Sequence, residues 1–85
     1  MATSPARVLV IGATGALGRP VVRGLRERGL AVRGVSRHPE RGADLAELGA
    51  EMVVGDLADA ASVKRALAGC TQVLACAHSL LGRGR

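Results

Sequence analysis

Apolar residues fall along this chain in short blocks separated by glycines and charges. Val8-Leu9-Val10-Ile11 is apolar at every position, the pattern of a strand covered on both faces, and it predicts the central strand of a parallel sheet. Leu17, Val21 and Leu25 recur every four residues and predict a helix that begins near Ala16, faces the sheet with that stripe and stops at Gly29. Ala31 to Ser36 reads as a second strand. Its alternation is weak because Arg33 and Gly34 interrupt it, so its place in a strand-helix-strand order carries the assignment. Ala43 to Leu48 predicts a short helix with Leu45 and Leu48 toward the sheet, closed by Gly49. A third strand follows at Met52 to Val54. Asp59 to Ala68 then predicts a helix with Ala60, Val63 and Leu67 on one face and Lys64 and Arg65 on the other, ended by Gly69. Gln72 to Ala77 completes the pattern as a fourth strand.

Strands that alternate with helices in this way give an α/β chain. Right-handed crossovers set the strand order at 3-2-1-4 with three helices, a partial Rossmann-type, doubly wound parallel sheet. In such sheets ligands bind outside the carboxyl ends of the strands at the point where the order reverses, here between the first and fourth strands.

The turn after the first strand carries the candidate chemistry. Gly12, Gly15 and Gly18 form G-x-x-G-x-x-G, with Thr14 where a G-x-G-x-x-G pattern has its second glycine. Gly12 allows a tight turn, Gly15 lets a ligand approach the backbone and Gly18 permits close packing of helix on strand. A pyrophosphate placed over Gly15, Ala16 and Leu17 would meet unpaired N–H groups at the positive end of a helix dipole. With 12 glycines in 85 residues the bare triplet is weak evidence; its place between a strand-like and a helix-like run favours phosphate binding.

The end of the second strand bears on cofactor choice. An acidic residue there accepts hydrogen bonds from the adenosine ribose in NAD-binding units, whereas this chain reads Ser36-Arg37-His38-Pro39-Glu40-Arg41. Arg37 offers a planar cation for a 2′-phosphate, which favours NADP over NAD, with NAD still possible. The other readings keep Arg37 as an ordinary exposed loop residue, or have Glu40 neutralise it or take the acidic role itself.

The residues Gly12-Ala13-Thr14-Gly15-Ala16-Leu17-Gly18 resemble the cofactor loop of the extended and atypical short-chain dehydrogenase/reductases, especially the NmrA-like NAD(P)-binding proteins. Gly49 to Leu57 is similar to their third strand and following loop. The resemblance implies an NAD(P)-binding function and places Gly55-Asp56-Leu57 beside the adenine, with Asp56 accepting from its amino group and Leu57 flanking the ring. An alternative use makes Asp56 a turn former and Asp59 a helix N-cap, and both can hold together. Cys76 and Ala77, small residues at the end of the fourth strand, would let the nicotinamide half of the cofactor pass closely. Many members of the family carry a catalytic Tyr-x-x-x-Lys motif. This chain has no tyrosine, and its one lysine, Lys64, does not match a catalytic position, so no catalytic residue is assigned.

Composition narrows the reading further. Eighty-five residues with 48% apolar content make at most one small domain, whose core lacks Phe, Tyr and Trp entirely. The net charge of +5 suits a polyanion, but the arginines are scattered and no aromatic residue can stack a base, so no nucleic acid is expected. Cys70 and Cys76 have neither C-x-x-C spacing nor partner histidines, which predicts packing roles and no metal site. Without a signal peptide or a spanning apolar run the chain reads as cytoplasmic, with no membrane partner.

The overall reading is the N-terminal part, residues 1–85, of an NAD(P)-binding domain, with residues 1–6 a frayed lead-in and 78–85 a truncated loop. It binds the dinucleotide of a reductase without transferring hydride alone. The alternative is a non-catalytic NAD(P)-sensing or partner-binding module. The unpaired edge of the fourth strand predicts marginal stability or self-association.

Overall fold

The computed structural model describes residues 7–76. Ala77, the lead-in 1–6 and the segment 78–85 lie outside them. Four strands, β1 (Arg7–Ile11), β2 (Ala31–Ser36), β3 (Glu51–Val54) and β4 (Gln72–Ala75), form one parallel sheet in the order β3-β2-β1-β4. The helices are α1 (Gly18–Glu27), α2 (Ala43–Glu47) and α3 (Ala60–Leu67), and a 3-10 turn at Pro39–Gly42 leads directly into α2.

The apolar run of β1 is buried because both its faces are covered. Val8 and Val10 point to one face and pack with Ala13, Val22, Val32, Leu45 and Ala50, beneath α1 and α2. Leu9 points to the other and packs with Val35 and Ala66 of α3. Both neighbours of β1 hold it in register, with Val8 opposite Val32 on one side and Gln72 on the other. The strand therefore has no free backbone edge, while its last residue, Ile11, delivers the chain straight into the glycine turn.

Arg33 and Gly34, which weaken β2 as a sequence pattern, both have structural uses. Gly34 is buried where a Cβ would lie 2.8 Å from the Cβ of Ala13 and from the sulfur of Met52. Arg33 donates to the carbonyls of Ala66 and Ala68 at 2.7 and 2.6 Å, so it satisfies the exposed end of α3 from the adjacent sheet face. Helix α1 ends as its sequence predicts. Gly29 has φ +82°, and the Leu30 N–H returns to the Leu25 carbonyl at 3.1 Å, the closure that a glycine in the left-handed region allows.

The apolar stripes are met in part: Val21 and Leu25 of α1 pack against the core and Leu45 of α2 is fully buried. Leu17 precedes α1 and is 50% exposed, Leu48 follows α2 and is 41% exposed, and the fully buried contact of α1 is Val22. In α3 the buried residues are Ser62 and Ala66, while Ala60 and Leu67 face outward. In α3 small side chains sit at the points of closest approach, so that helix lies near the sheet and Leu67 flanks the contact. Strand β4 is shorter than its sequence suggests and leaves Val73 and Leu74 47% and 41% exposed. No helix among the described residues is long and apolar enough to cross a membrane.

Candidate functional site

The carboxyl ends of the strands open into one pocket of about 750 Å³. The glycine turn forms one wall, the Ser36–Arg41 segment a second and the Gly55–Leu57 bend a third, with Cys76 at the end of β4. Of the residues singled out from sequence, Gly12, Thr14, Gly15, Ala16, Leu17, Arg37, Asp56, Leu57 and Cys76 all line it. Gly18 lies just behind the turn and Ala77 lies outside the described residues.

The turn is fixed from the sheet outward. The Val35 carbonyl of β2 accepts from the N–H groups of both Gly12 and Ala13, at 3.0 and 3.2 Å, and Gly12 turns the chain with φ +82°. Gly15 then closes the turn by donating to the Gly12 carbonyl at 3.1 Å. Gly18 is the packing glycine, since a Cβ there would lie 2.1 Å from the Gly12 carbonyl oxygen and 2.8 Å from the Ala13 Cα. At Gly15 the nearest atom would be 3.5 Å away, an ordinary contact. Nothing within the fold demands a glycine at 15, and its bare backbone faces the pocket.

Ala16 and Leu17 are exposed, and their N–H groups have no partner among the described residues. They stand immediately before α1, whose dipole places partial positive charge at this end. Two free donors beside a side-chain-free position, at the positive end of a ten-residue helix, suit an anionic diphosphate. The Thr14 hydroxyl points elsewhere, to the Ser36 hydroxyl at 2.9 Å, and Ser36 also accepts from the His38 N–H at 2.9 Å. Thr14 thus joins the turn to β2.

Across the pocket Arg37 is exposed and makes no hydrogen bond or ion pair among the described residues. Glu40 makes no ion pair with Arg37 among the described residues; its carboxylate lies 3.6 Å from the His38 ring. Asp56 forms the turn expected of it, with one carboxylate oxygen accepting from the Ala58 N–H at 2.9 Å, and its second oxygen has no partner among the described residues. Asp59 caps α3 by accepting from Ala61 and Ser62 at 3.1 and 3.4 Å. Asp56 and Asp59 thus take the turn-forming and capping roles. The Cys76 N–H extends the β1–β4 ladder by donating to Ile11 at 2.7 Å, and burial pushes its thiol pKa up, so the sulfur is protonated and packs as an apolar group.

Sequence reasoning passes over three residues that build this site. Ser62 is buried in α3, accepts from the Asp56 N–H at 3.0 Å and lies 2.8 Å from the Asp59 carbonyl, which pins the Gly55–Leu57 bend. Ser36 and Arg19 tie the glycine turn to the β2–α2 connection. The only signal for Ser62 is a hydroxyl at the third position after an N-cap aspartate.

Comparison with known proteins decides the family. A family model described as NAD(P)H-binding matches residues 12–85, from the first glycine of the turn onward. The chain belongs to this NAD(P)H-binding family. Its relatives include an NmrA-like family domain-containing oxidoreductase of Aspergillus versicolor, 49% identical over 57 residues, or 64% of this chain and 16% of the relative. AtPrR2, solved with NADP+ and (+)pinoresinol, matches 98% of this chain and 29% of its own at 25% identity and a TM-score of 0.80. A short-chain dehydrogenase/reductase superfamily protein from Agrobacterium tumefaciens, solved with bound NAD, matches 81% of this chain and 19% of its own at 38% identity and a TM-score of 0.67. The chain spans about a fifth or less of the curated relatives it matches. It is thus an NmrA-like, NAD(P)-binding α/β domain portion that takes a nicotinamide dinucleotide.

Proposed function

We propose that this chain is the N-terminal, cofactor-holding part of an NADP(H)-dependent reductase. The Ala16 and Leu17 N–H groups receive the pyrophosphate over Gly15, and Arg37 pairs with the 2′-phosphate of the adenosine ribose. Asp56 accepts from the adenine amino group beside Leu57, and Cys76 with Ala77 borders the nicotinamide half. The bound dinucleotide supplies the hydride chemistry. The chain's own residues bind and orient it, and with no tyrosine and an exposed Lys64 that does not line the pocket they do not transfer hydride alone.

One observation carries the preference for NADP(H). At the end of β2 the pocket presents the guanidinium of Arg37, which pairs with no carboxylate among the described residues. A carboxylate at this place would bond the ribose hydroxyls and repel a phosphate; a planar cation has the opposite preference.

The test is a fluorescence titration of NADPH and NADH against the chain and its Gly15→Asp and Arg37→Ser variants. Tighter binding of NADPH, its loss with Gly15→Asp, and convergence of the two affinities with Arg37→Ser support the reading. Equal binding of both dinucleotides by the wild type removes the NADP preference, and no binding by folded protein removes the function.

A further inference from the structure

The Arg19 side chain spans more of the site than any other. Its Nε donates to the Thr14 carbonyl at 3.1 Å, and its Nη1 donates to both carboxylate oxygens of Asp44 at 2.7 and 2.9 Å. Its Nη2 donates to the Arg41 carbonyl. One guanidinium thus connects the glycine turn, the 3-10 turn after β2 and the first residues of α2. The Thr14–Gly15 peptide is held at both ends, its oxygen by Arg19 and its N–H by the Gly12 carbonyl, which fixes the backbone that presents the next two N–H groups. Arg41, whose carbonyl is held from below, closes the segment that begins with Arg37, and both arginines line the pocket.

Asp44 determines what Arg19 can do. A cation beside a pyrophosphate turn ordinarily serves as a phosphate ligand, but here two short charge-assisted bonds draw it toward α2. Arg23 approaches the same carboxylate at 2.8 Å.

We propose that Arg19 and Asp44 form a positioning pair that holds the pyrophosphate turn and the Arg37–Arg41 segment as one preorganised unit, and so contributes to discrimination for a 2′-phosphate. The inference rests on the NADP(H) reading of the pocket. With the segments tied, little binding free energy goes into ordering them; once released, the arginine-bearing segment suffers most, because one end of its 3-10 turn is held through Arg41. NADPH therefore loses more affinity than NADH when the pair is broken.

The experiment combines NADPH and NADH titrations with amide hydrogen exchange measured without either dinucleotide, on the full chain and its Asp44→Asn, Arg19→Gln and double variants. Each single variant is expected to weaken NADPH about tenfold and NADH about threefold, as loss of charge-assisted bonds does. The double variant should be no weaker than Arg19→Gln, and exchange should rise at the hydrogen-bonded amides of both segments, Gly15 in one and His38 and Arg41 in the other. If Arg19 were instead a phosphate ligand, Asp44→Asn would free the cation and strengthen both dinucleotides, which overturns the proposal. Faster exchange confined to α2 overturns it as well, and that result stands whether or not any dinucleotide binds. Failure of the wild type to bind NADPH refutes the proposed function, while the exchange result still decides whether the pair couples the two segments. Should Arg19→Gln fold poorly, the partly exposed Asp44→Asn carries the test.

Discussion

The hydroxyls of Thr14 and Ser36 lie 2.9 Å apart and join the glycine turn to the end of β2 across 22 residues. Ser36 is buried and also accepts from His38, so removing its hydroxyl strands two groups at once. Ser36→Ala is expected to cost about 1–2 kcal/mol in denaturant unfolding. Thr14→Val, which leaves the Ser36–His38 bond in place, should cost about 1 kcal/mol or less. Equal losses would mean that the bond to His38 contributes nothing.

Two glycines of the same motif should respond in opposite ways. Gly18→Ala drives a Cβ into backbone atoms of the turn that have no room to retreat, and the loss of stability should exceed about 3 kcal/mol. Gly15→Ala meets only an ordinary contact, so its melting temperature should stay near that of the wild type while dinucleotide affinity falls at least about tenfold. Melting curves together with NADPH titration separate the two cases.

Ser62→Ala should loosen the Gly55–Leu57 wall of the pocket. It leaves the Asp56 N–H without its acceptor in a partly buried bend, at a cost of about 1–3 kcal/mol. Asp59→Ala removes only the cap of α3 and should cost about 1 kcal/mol. Dinucleotide affinity should fall with the first variant more than with the second, because Asp56 lines the pocket and Asp59 serves mainly the helix.

Acid sensitivity should map to Asp44. Its hydrogen bond from the Arg19 guanidinium is the largest influence holding its carboxyl below the ordinary carboxylate range. A group whose folded pKa is lowered stabilises the fold above its unfolded value, near pH 4. That contribution disappears as pH falls through the lowered native value. Denaturant midpoints measured from pH 7 down to pH 2 should show wild type and Asp44→Asn converging at the acid end; parallel curves would exclude the pairing.

Strand positions and the glycine turn are legible in the sequence because they follow from local rules. Val8 to Ile11 is apolar on both alternating faces, and Ala31 to Ser36 is placed by order alone and observed with those bounds. The helix faces are less legible. An apolar stripe favours large residues, yet this chain brings α3 to the sheet through Ser62 and Ala66, so Leu67 flanks the contact. The 3-10 turn at Pro39–Gly42 also escapes periodicity, because its four residues hold barely one repeat and include no apolar pair. The roles of Arg19 and Ser36 are invisible for a different reason. Their partners lie 22 and 25 residues away, and nothing in a single arginine or serine announces which distant carbonyl or hydroxyl it will meet.

The central place of β1 also sets an order in time. Of the four described strands β1 is made first, yet it pairs on one side with β2 and on the other with β4, and the Arg7 N–H donates to the Thr71 hydroxyl, 64 residues later. Until that later segment emerges, one backbone edge of the most apolar run in the chain stays open. Closing the sheet on that side thus waits on a contact between distant parts of the chain, the kind that slows folding.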